Sequence, residues 1–212
     1  MKTPKKNLKH ILMIATGGTI ASKRSEEGLK PLITSEELLG FVPDVKEFCE
    51  VTATQVINID STNIQPKHWL LISSTIEKYY DQYDGFVVCH GTDPLAYTAS
   101  ALSYLIQNSK KPIVITGAQK PIDLEITDAK TNLSDSFLFA SCDKAHGVNI
   151  VFDGKVIAGT RGKRSVPKAI THFPASTSHT LPPSRTTTSS STWMTRTRCR
   201  RKSRSTTSWT AR

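Results

Sequence analysis

The stretch Ala15-Thr16-Gly17-Gly18-Thr19-Ile20-Ala21-Ser22 directly follows the apolar run Ile11-Leu12-Met13-Ile14. The apolar run predicts a buried strand. The two glycines predict a tight turn after it, because glycine adopts backbone angles that other residues avoid and lets a ligand come close to the main chain. Ligands of open α/β sheets bind just beyond the carboxyl ends of strands. Thr19 is therefore a candidate nucleophile, and an ordinary strand-to-loop turn is the alternative interpretation.

Two further predicted strands also end in polar loops. Val51–Ile59 is followed by Asp60-Ser61-Thr62-Asn63, and Gly85–Cys89 is followed by His90-Gly91-Thr92-Asp93. In a parallel sheet such loops meet at one edge, so we expect the three loops to form one site. The alternative for the third loop is that Thr92 and Asp93 merely cap the next helix, since both residue types are good N-caps.

The order of predicted elements determines the fold class. Strands alternate with helices, which predicts an α/β protein with a mainly parallel sheet and helices on both faces. Helices are predicted for Thr34–Leu39, from Pro66, from Pro94 as the first helical residue, and for Asp128–Ala140. Further strands are predicted for Pro112–Thr116, Val148–Phe152 and Lys155–Ala158, the last two as a hairpin or paired edge strands.

The charge of the chain is unevenly distributed. Its 212 residues have a formal net charge of +10, but residues 1–160 contain 16 Lys and Arg against 18 Asp and Glu, whereas residues 161–212 contain 12 Lys and Arg and no acid. The latter segment is rich in Ser, Thr and Pro and has no apolar periodicity, which predicts disorder. We therefore expect a catalytic domain at residues 1–161 and a disordered basic tail at residues 162–212.

Other features of the sequence exclude several classes of protein. No apolar run is long enough to span a membrane, and the run after the basic N-terminus is too short for a secretory signal. The four cysteines have no metal-site spacing, so no metal is expected.

Two threonines, a serine and a carboxylate at one edge suit nucleophilic attack on an amide, provided that a base activates the threonine.

Taken together, these motifs resemble the bacterial L-asparaginase family, most closely its cytoplasmic type I branch. The resemblance extends from about Lys9 to Arg161 and is carried by residues 16–21, residues 60–63 with Pro66 and Trp69, residues 83–93, residues 96–103 and residues 112–121. It implies hydrolysis of L-asparagine to L-aspartate and ammonia in the cytoplasm, without a cofactor, nucleic acid or membrane.

The resemblance also implies roles for individual residues. Thr19 would form an acyl-enzyme ester, while Thr92 and Asp93 would join a lysine in a second triad. Asp60, Ser61 and Thr62 would hold the α-carboxylate end of the substrate, and Asp93 would accept its α-ammonium group. Main-chain N–H groups near Gly18 and Thr92 and around Ala118 would polarise the developing oxyanion.

The chain departs from the family pattern at three positions. Pro94 replaces a usual threonine, and Leu29 stands where some members have a tyrosine that assists the first threonine. Arg164 lies at the position of the triad lysine, and arginine is too weak an acid to serve as a neutral base. The adjacent Lys163 would point in a different direction.

The tail has a specific explanation. The family-like continuation KKVRTKSYNAFSSINFPY can be encoded so that a reading one base out of register gives residues 163–180 of this chain. We therefore expect residues from about Gly162 onward to be an out-of-frame translation. The intact family forms homo-oligomers in which a C-terminal domain of a neighbouring protomer completes the site. We expect this chain to lack that domain and to have little or no asparaginase activity.

Two other functions remain open at the level of sequence. The amide-hydrolysing component of a tRNA-dependent amidotransferase shares these motifs, although such components usually carry an additional N-terminal domain. A nucleic-acid binder would use the arginines of the tail to neutralise phosphates.

Overall fold

The computed structural model describes residues 8–25, 28–163 and 179–180. Within these residues the strands are β1 (Lys9–Gly17), β2 (Ser22–Ser25), β3 (Gly28–Pro31), β4 (Cys49–Ile59), β5 (Gly85–Cys89), β6 (Pro112–Thr116), β7 (Gly147–Phe152), β8 (Lys155–Ala158) and β9 (His179–Thr180). The α-helices are α1 (Ser35–Gly40), α2 (Pro66–Tyr79), α3 (Leu95–Leu105) and α4 (Ala129–Ala140). Short 3-10 turns lie at Thr19–Ala21, Pro43–Glu47, Ser61–Asn63 and Gly159–Arg161.

The main sheet has the strand order β4-β1-β5-β6-β7-β8-β9. Strands β4, β1, β5, β6 and β7 run parallel to one another, whereas β8 pairs antiparallel with β7, and β9 with β8. Strands β2 and β3 form a separate antiparallel hairpin. The predicted mainly parallel sheet is confirmed, and so is the antiparallel pairing of its last two predicted strands.

The main sheet separates the hydrophobic core into two clusters, as the side chains of β1 show. Ile11 and Met13 face a cluster that includes residues of α1 and α4, whereas Leu12 and Ile14 face a cluster that includes residues of α2 and α3. Successive strand side chains point to opposite faces, so a continuously apolar strand requires cover on both sides. The helices therefore lie on both faces, as predicted.

Most predicted elements are found close to their predicted bounds. The strands Gly85–Cys89 and Pro112–Thr116 match residue for residue. Helix α1 begins with a capping box, in which the Thr34 hydroxyl accepts the Glu37 N–H and the Glu37 carboxylate accepts the Thr34 N–H. One detail is wrong: Pro94 is the N-cap of α3 and not its first helical residue, with φ −94° and ψ 14°.

The predicted C-terminal tail lies almost entirely outside the described residues. The expectation of disorder, the boundary after Arg161 and the position of Arg164 therefore stay predictions. Within the described part of the chain, no helix combines the length and the apolar character needed to cross a membrane.

Candidate active site

The strand order places a change of direction between β1 and β5. From β1 the chain reaches β4 on one side of the sheet, and from β5 it continues to β6 on the other side. Ligands of such sheets bind in the crevice at the carboxyl ends of the two strands that flank this point. The loops that follow β1 and β5 carry Thr19 and Thr92, so both candidate hydroxyls lie beside the crevice.

The loops after β1 and β5 touch through their backbones. Gly18 has φ 77°, and a Cβ atom built on it would lie 2.5 Å from both the N and Cα atoms of Gly91. Gly17 has φ 93°, and its Cβ would lie 2.5 Å from the carbonyl oxygen of Ile59. Any side chain at these positions would separate the loops, so the two glycines are required for contact between the loops as well as for the turn.

A third loop joins this contact through Ser61. A Cβ atom on Gly91 would lie 2.2 Å from Ser61 Oγ and 2.3 Å from Ser61 Cβ. Ser61 is itself buried, with 7% of its surface exposed. The predicted convergence of the three polar loops is therefore present, and the contact runs from Gly18 through Gly91 to Ser61.

Asp60 stabilises the loop after β4. Its Oδ1 accepts both the main-chain N–H and the hydroxyl of Thr62, each at 2.9 Å. These bonds cap the short turn Ser61–Asn63 and hold the exposed Thr62 in place. The observed role of Asp60 is thus to fix the turn that presents the two hydroxyl residues.

Neither candidate threonine is engaged in helix capping. Among the described residues, no hydrogen bond is found for the hydroxyl of Thr19 or of Thr92. The cap of α3 is Pro94, and no side chain forms a capping bond there. Thr92 is 7% exposed, and Asp93 beside it is exposed. The alternative that the Thr92 side chain caps α3 is therefore wrong, whereas a capping role for Asp93 is not tested.

The loop after β6 is a fourth segment at this edge of the sheet. Asp128 accepts the main-chain N–H groups of Gln119 at 2.9 Å and Lys120 at 3.1 Å. Asn132 Nδ2 donates to the Gly117 carbonyl at 2.9 Å. Ala118 is fully buried between these anchored positions. The start of α4 thus fixes the backbone around Ala118.

The main-chain donors differ in part from those expected. The N–H of Gly18 itself donates to the Ile59 carbonyl at 3.0 Å, so this one group near Gly18 is not available to a ligand. The N–H groups of Thr92 and Ala118 have no acceptor within the described part of the chain. These two groups remain as candidate oxyanion donors.

His90 is the first residue of the third loop and is fully buried, and no role for it was predicted from the sequence. Its Nδ1 lies 2.7 Å from the Gly91 carbonyl oxygen and its Nε2 lies 3.1 Å from Thr98 Oγ1. Thr98 Oγ1 also accepts the indole N–H of Trp69 at 2.9 Å. Burial lowers the pKa of His90 to about 4, so the imidazole is neutral at pH 7. The eight-residue spacing of His90 and Thr98 gives no sequence signal for this contact.

The neighbouring cysteine is chemically inert. Burial raises the pKa of Cys89 to about 12, because no charge compensates for the desolvation of its thiolate. In the part of the chain that is described, no three His, Cys, Asp or Glu side chains are grouped so that they could hold a metal ion. The reactive groups available at this edge are therefore hydroxyls, carboxylates and main-chain amides.

Comparison with protein families gives a match to the family described as "Asparaginase, N-terminal" over residues 10–197. This match continues past Arg161, where we expected the resemblance to end.

Among relatives, the L-asparaginase of Thermococcus kodakarensis is 39% identical over 152 residues, which are 71% of this chain and 46% of the relative. A glutamyl-tRNA(Gln) amidotransferase component of Pyrococcus abyssi is 40% identical over 154 residues, which are 71% of this chain and 35% of the relative. The chain thus spans half or less of the length of these relatives.

Solved structures agree with the sequence comparison. L-asparaginase I of Vibrio cholerae superposes with a TM-score of 0.74 at 33% identity, covering 82% of this chain and 53% of that one. A probable cytoplasmic L-asparaginase of Campylobacter jejuni gives a TM-score of 0.70 at 27% identity, covering 79% and 51%.

Proposed function

This chain belongs to the asparaginase family, and from that premise we propose that its described domain is the nucleophile-bearing part of an L-asparaginase. The observation that carries the proposal is the contact of Gly18, Gly91 and Ser61, which brings three hydroxyl-bearing loops to one crevice. The reaction is the hydrolysis of the side-chain amide of L-asparagine to L-aspartate and ammonia.

In the proposed mechanism Thr19 is the nucleophile. Its hydroxyl oxygen attacks the amide carbon of the substrate, and its proton passes to the departing nitrogen, which leaves as ammonia. Water then attacks the threonine ester, releases L-aspartate and returns the proton to the Thr19 oxygen. The N–H groups of Thr92 and Ala118, which have no acceptor among the described residues, stabilise the oxyanion of each tetrahedral intermediate.

The remaining residues bind the substrate. Ser61 donates its hydroxyl proton to the α-carboxylate. Asp60 and Thr62 act indirectly, because both the N–H and the hydroxyl of Thr62 already donate to Asp60 Oδ1 and so hold the turn that carries Ser61. Asp93 is exposed at the rim of the crevice and accepts the α-ammonium group. Gly18 has no side chain, and this allows the loops after β1 and β5 to contact each other.

The second triad is incomplete by sequence. It would consist of Thr92, Asp93 and a lysine, and Arg164 stands at the position of the lysine. Because arginine does not give up its proton near pH 7, this chain is expected to turn over slowly or not at all. Ligand binding is for this reason a better first readout than turnover.

The experiment combines binding and chemistry. Isothermal calorimetry of the full chain with L-aspartate is expected to show binding that Asp93→Asn weakens. Thr75→Ala is the control and is expected to leave binding unchanged, because the Thr75 hydroxyl bonds within α2 to the Leu71 carbonyl. Any release of ammonia from L-asparagine is expected to disappear in Thr19→Ala. The proposal fails if L-aspartate does not bind and L-asparagine is not hydrolysed. Turnover at a rate usual for enzymes would instead overturn the expectation of low activity.

A second candidate is amide hydrolysis within a tRNA-dependent amidotransferase, which the 40% identity to the Pyrococcus abyssi protein favours. That function predicts hydrolysis of L-glutamine that depends on glutamylated tRNA. Measuring ammonia release from both amides with and without this tRNA separates the two candidates. For the leading candidate we propose a cytoplasmic location and a small-molecule substrate.

A further inference from the structure

Only one direction of hydrogen-bond donation is possible in the series formed by Trp69, Thr98, His90 and Gly91. The Trp69 indole nitrogen is a donor, so Thr98 Oγ1 accepts at 2.9 Å and keeps its own proton for the next bond. The Gly91 carbonyl oxygen at the other end is an acceptor, so His90 Nδ1 donates at 2.7 Å. His90 Nε2 is then the acceptor of the Thr98 hydroxyl at 3.1 Å. This assigns the neutral tautomer with the proton on Nδ1.

The backbone of His90 is held as firmly as its ring. Its N–H donates to the Thr116 carbonyl at 2.8 Å. A Cβ atom on Gly117 would lie 2.3 Å from the His90 carbonyl oxygen, so the loop after β6 packs directly on this residue. The ring and the main chain of His90 are thus both anchored, and Gly91 is the next residue along the chain.

The direction of the Gly91 carbonyl determines the direction of the Thr92 N–H. The peptide unit that joins Gly91 and Thr92 is planar and trans, so its C=O and N–H point to opposite sides. The carbonyl points inward to the buried His90 ring. The Thr92 N–H therefore points away from the His90 ring, and it has no acceptor among the described residues.

We propose that His90 is a positioning residue that aims the Thr92 N–H into the crevice as an oxyanion donor, and that Trp69 and Thr98 act by fixing the tautomer of His90. The tautomer and the orientation of Thr92 do not depend on the reaction. The use of Thr92 N–H on an oxyanion rests on the proposed function.

The first test is NMR of the full chain with ¹⁵N-labelled histidine. The His90 ring is expected to show protonated Nδ1 and unprotonated Nε2. In Thr98→Val the Nε2 partner is lost, so the His90 ring signals and the Thr92 amide signal are expected to shift. Thr98→Ser keeps a hydroxyl and is expected to restore both.

Substitution of His90 tests whether its ring determines the orientation of the Thr92 amide. His90→Leu removes the donor to the Gly91 carbonyl and is expected to move the Thr92 amide signal, whereas His90→Asn keeps a nearby donor and is expected to move it less. Tyr80→Phe is the matched control, because it removes a part-buried hydroxyl that bonds to Ser109 at 2.9 Å, remote from the third loop. It is expected to change stability but not the Thr92 amide.

Turnover provides the readout that depends on the proposed function. Loss of one oxyanion donor lowers kcat by about 10²–10³-fold in hydrolases, so we expect Thr98→Val to lower kcat by about 10-fold or more, with little change in KM. A His90 ring protonated on Nε2, or a Thr92 amide unchanged in His90→Leu, overturns the inference. Absence of both L-aspartate binding and L-asparagine hydrolysis in the wild type, together with the expected tautomer and Thr92 shifts, counts against the proposed function and leaves the positioning role supported.

Discussion

Gly18 and Gly91 meet backbone to backbone, so close that a Cβ atom on Gly18 would lie 2.5 Å from Gly91 Cα. One residue follows a strand on one side of the switch point of the sheet, and the other follows the strand on the opposite side. Their contact holds the Thr19 loop against the Thr92 loop. The geometry of the candidate site therefore depends on two residues that have no side chain.

A methyl group at position 91 is expected to destabilise the protein. Gly91→Ala places Cβ 2.2 Å from Ser61 Oγ, so we expect a loss of about 2–3 kcal/mol in the free energy of unfolding. Both close contacts come from the Ser61 side chain, so the double variant with Ser61→Gly is expected to recover much of that loss. Urea denaturation of the wild type, the two single variants and the double variant measures the coupling energy between positions 91 and 61.

The control for this cycle is Gly40→Ala. Nothing lies within 4 Å of a Cβ at Gly40, and its φ is not positive. We expect no loss of stability, since alanine is the better helix former. A loss for Gly40→Ala equal to that for Gly91→Ala would show that the contact with Ser61 is not the cause.

Stability is expected to decrease as the pH falls below 6.5, because of His90. Burial lowers the pKa of its imidazole from 6.5 to about 4 in the folded state. Between these values the unfolded chain binds a proton that the native protein does not, so the free energy of unfolding falls with falling pH. This group alone predicts a loss of about 2 kcal/mol between pH 6.5 and pH 5.

Comparison of pH slopes isolates the contribution of His90. Urea denaturation at pH 6.5 and pH 5 is expected to show a smaller loss in His90→Asn, which has no group to titrate there. Equal losses in the two proteins would mean that the imidazole is already protonated in the native state or is accessible to water.

Cys89 and Cys49 are expected to resist alkylation in the native protein. Burial raises the pKa of Cys89 to about 12 and that of Cys49 to about 11, and the thiolate is the reactive form. Iodoacetamide at pH 8, followed by peptide mass spectrometry, should label neither residue until urea unfolds the chain. Rapid native labelling of Cys89 would place it at the open surface of the crevice.

Lys111 is expected to stabilise the end of α2. Its Nζ donates to the main-chain carbonyls of Tyr80 and Tyr83 and lies 4.8 Å from the centre of the Tyr80 ring. Lys111→Met removes these bonds and is expected to cost about 1–3 kcal/mol. The exposed neighbour Lys110 provides the matched control, because Lys110→Met should change the free energy of unfolding by less than about 0.5 kcal/mol. Equal effects would refute a specific cap.

The reading frame of the tail can be tested directly. We expect the coding DNA, read one base out of register after about codon 162, to encode a continuation of the asparaginase type. The protein encoded by a gene corrected by that base is expected to release ammonia from L-asparagine faster than the present chain, because we expect the corrected frame to encode a lysine in place of Arg164. A corrected frame that encodes no such continuation excludes the frameshift.

The sequence by itself determined the elements of the fold. Ile11–Ile14, Gly85–Cys89 and Pro112–Thr116 are short apolar runs bounded by turn residues, and such local patterns predict buried strands directly. The alternation of strands and helices then predicted the parallel sheet, and the polar loops after the strands predicted the edge where the site lies. The hairpin of β2 and β3 was not predicted, since the sequence around it has little apolar alternation.

The tertiary structure decided which groups of that edge remain available. Hydrogen-bond partners distant along the chain cannot be seen in a local pattern, so only the fold shows that Ile59 occupies the Gly18 N–H and that Thr62 occupies Asp60 Oδ1. The same reason applies to His90, whose tautomer depends on Thr98 and Trp69 from two helices. Sequence placed the hydroxyls of Thr19 and Thr92 at the edge, and packing determined which backbone amides face them.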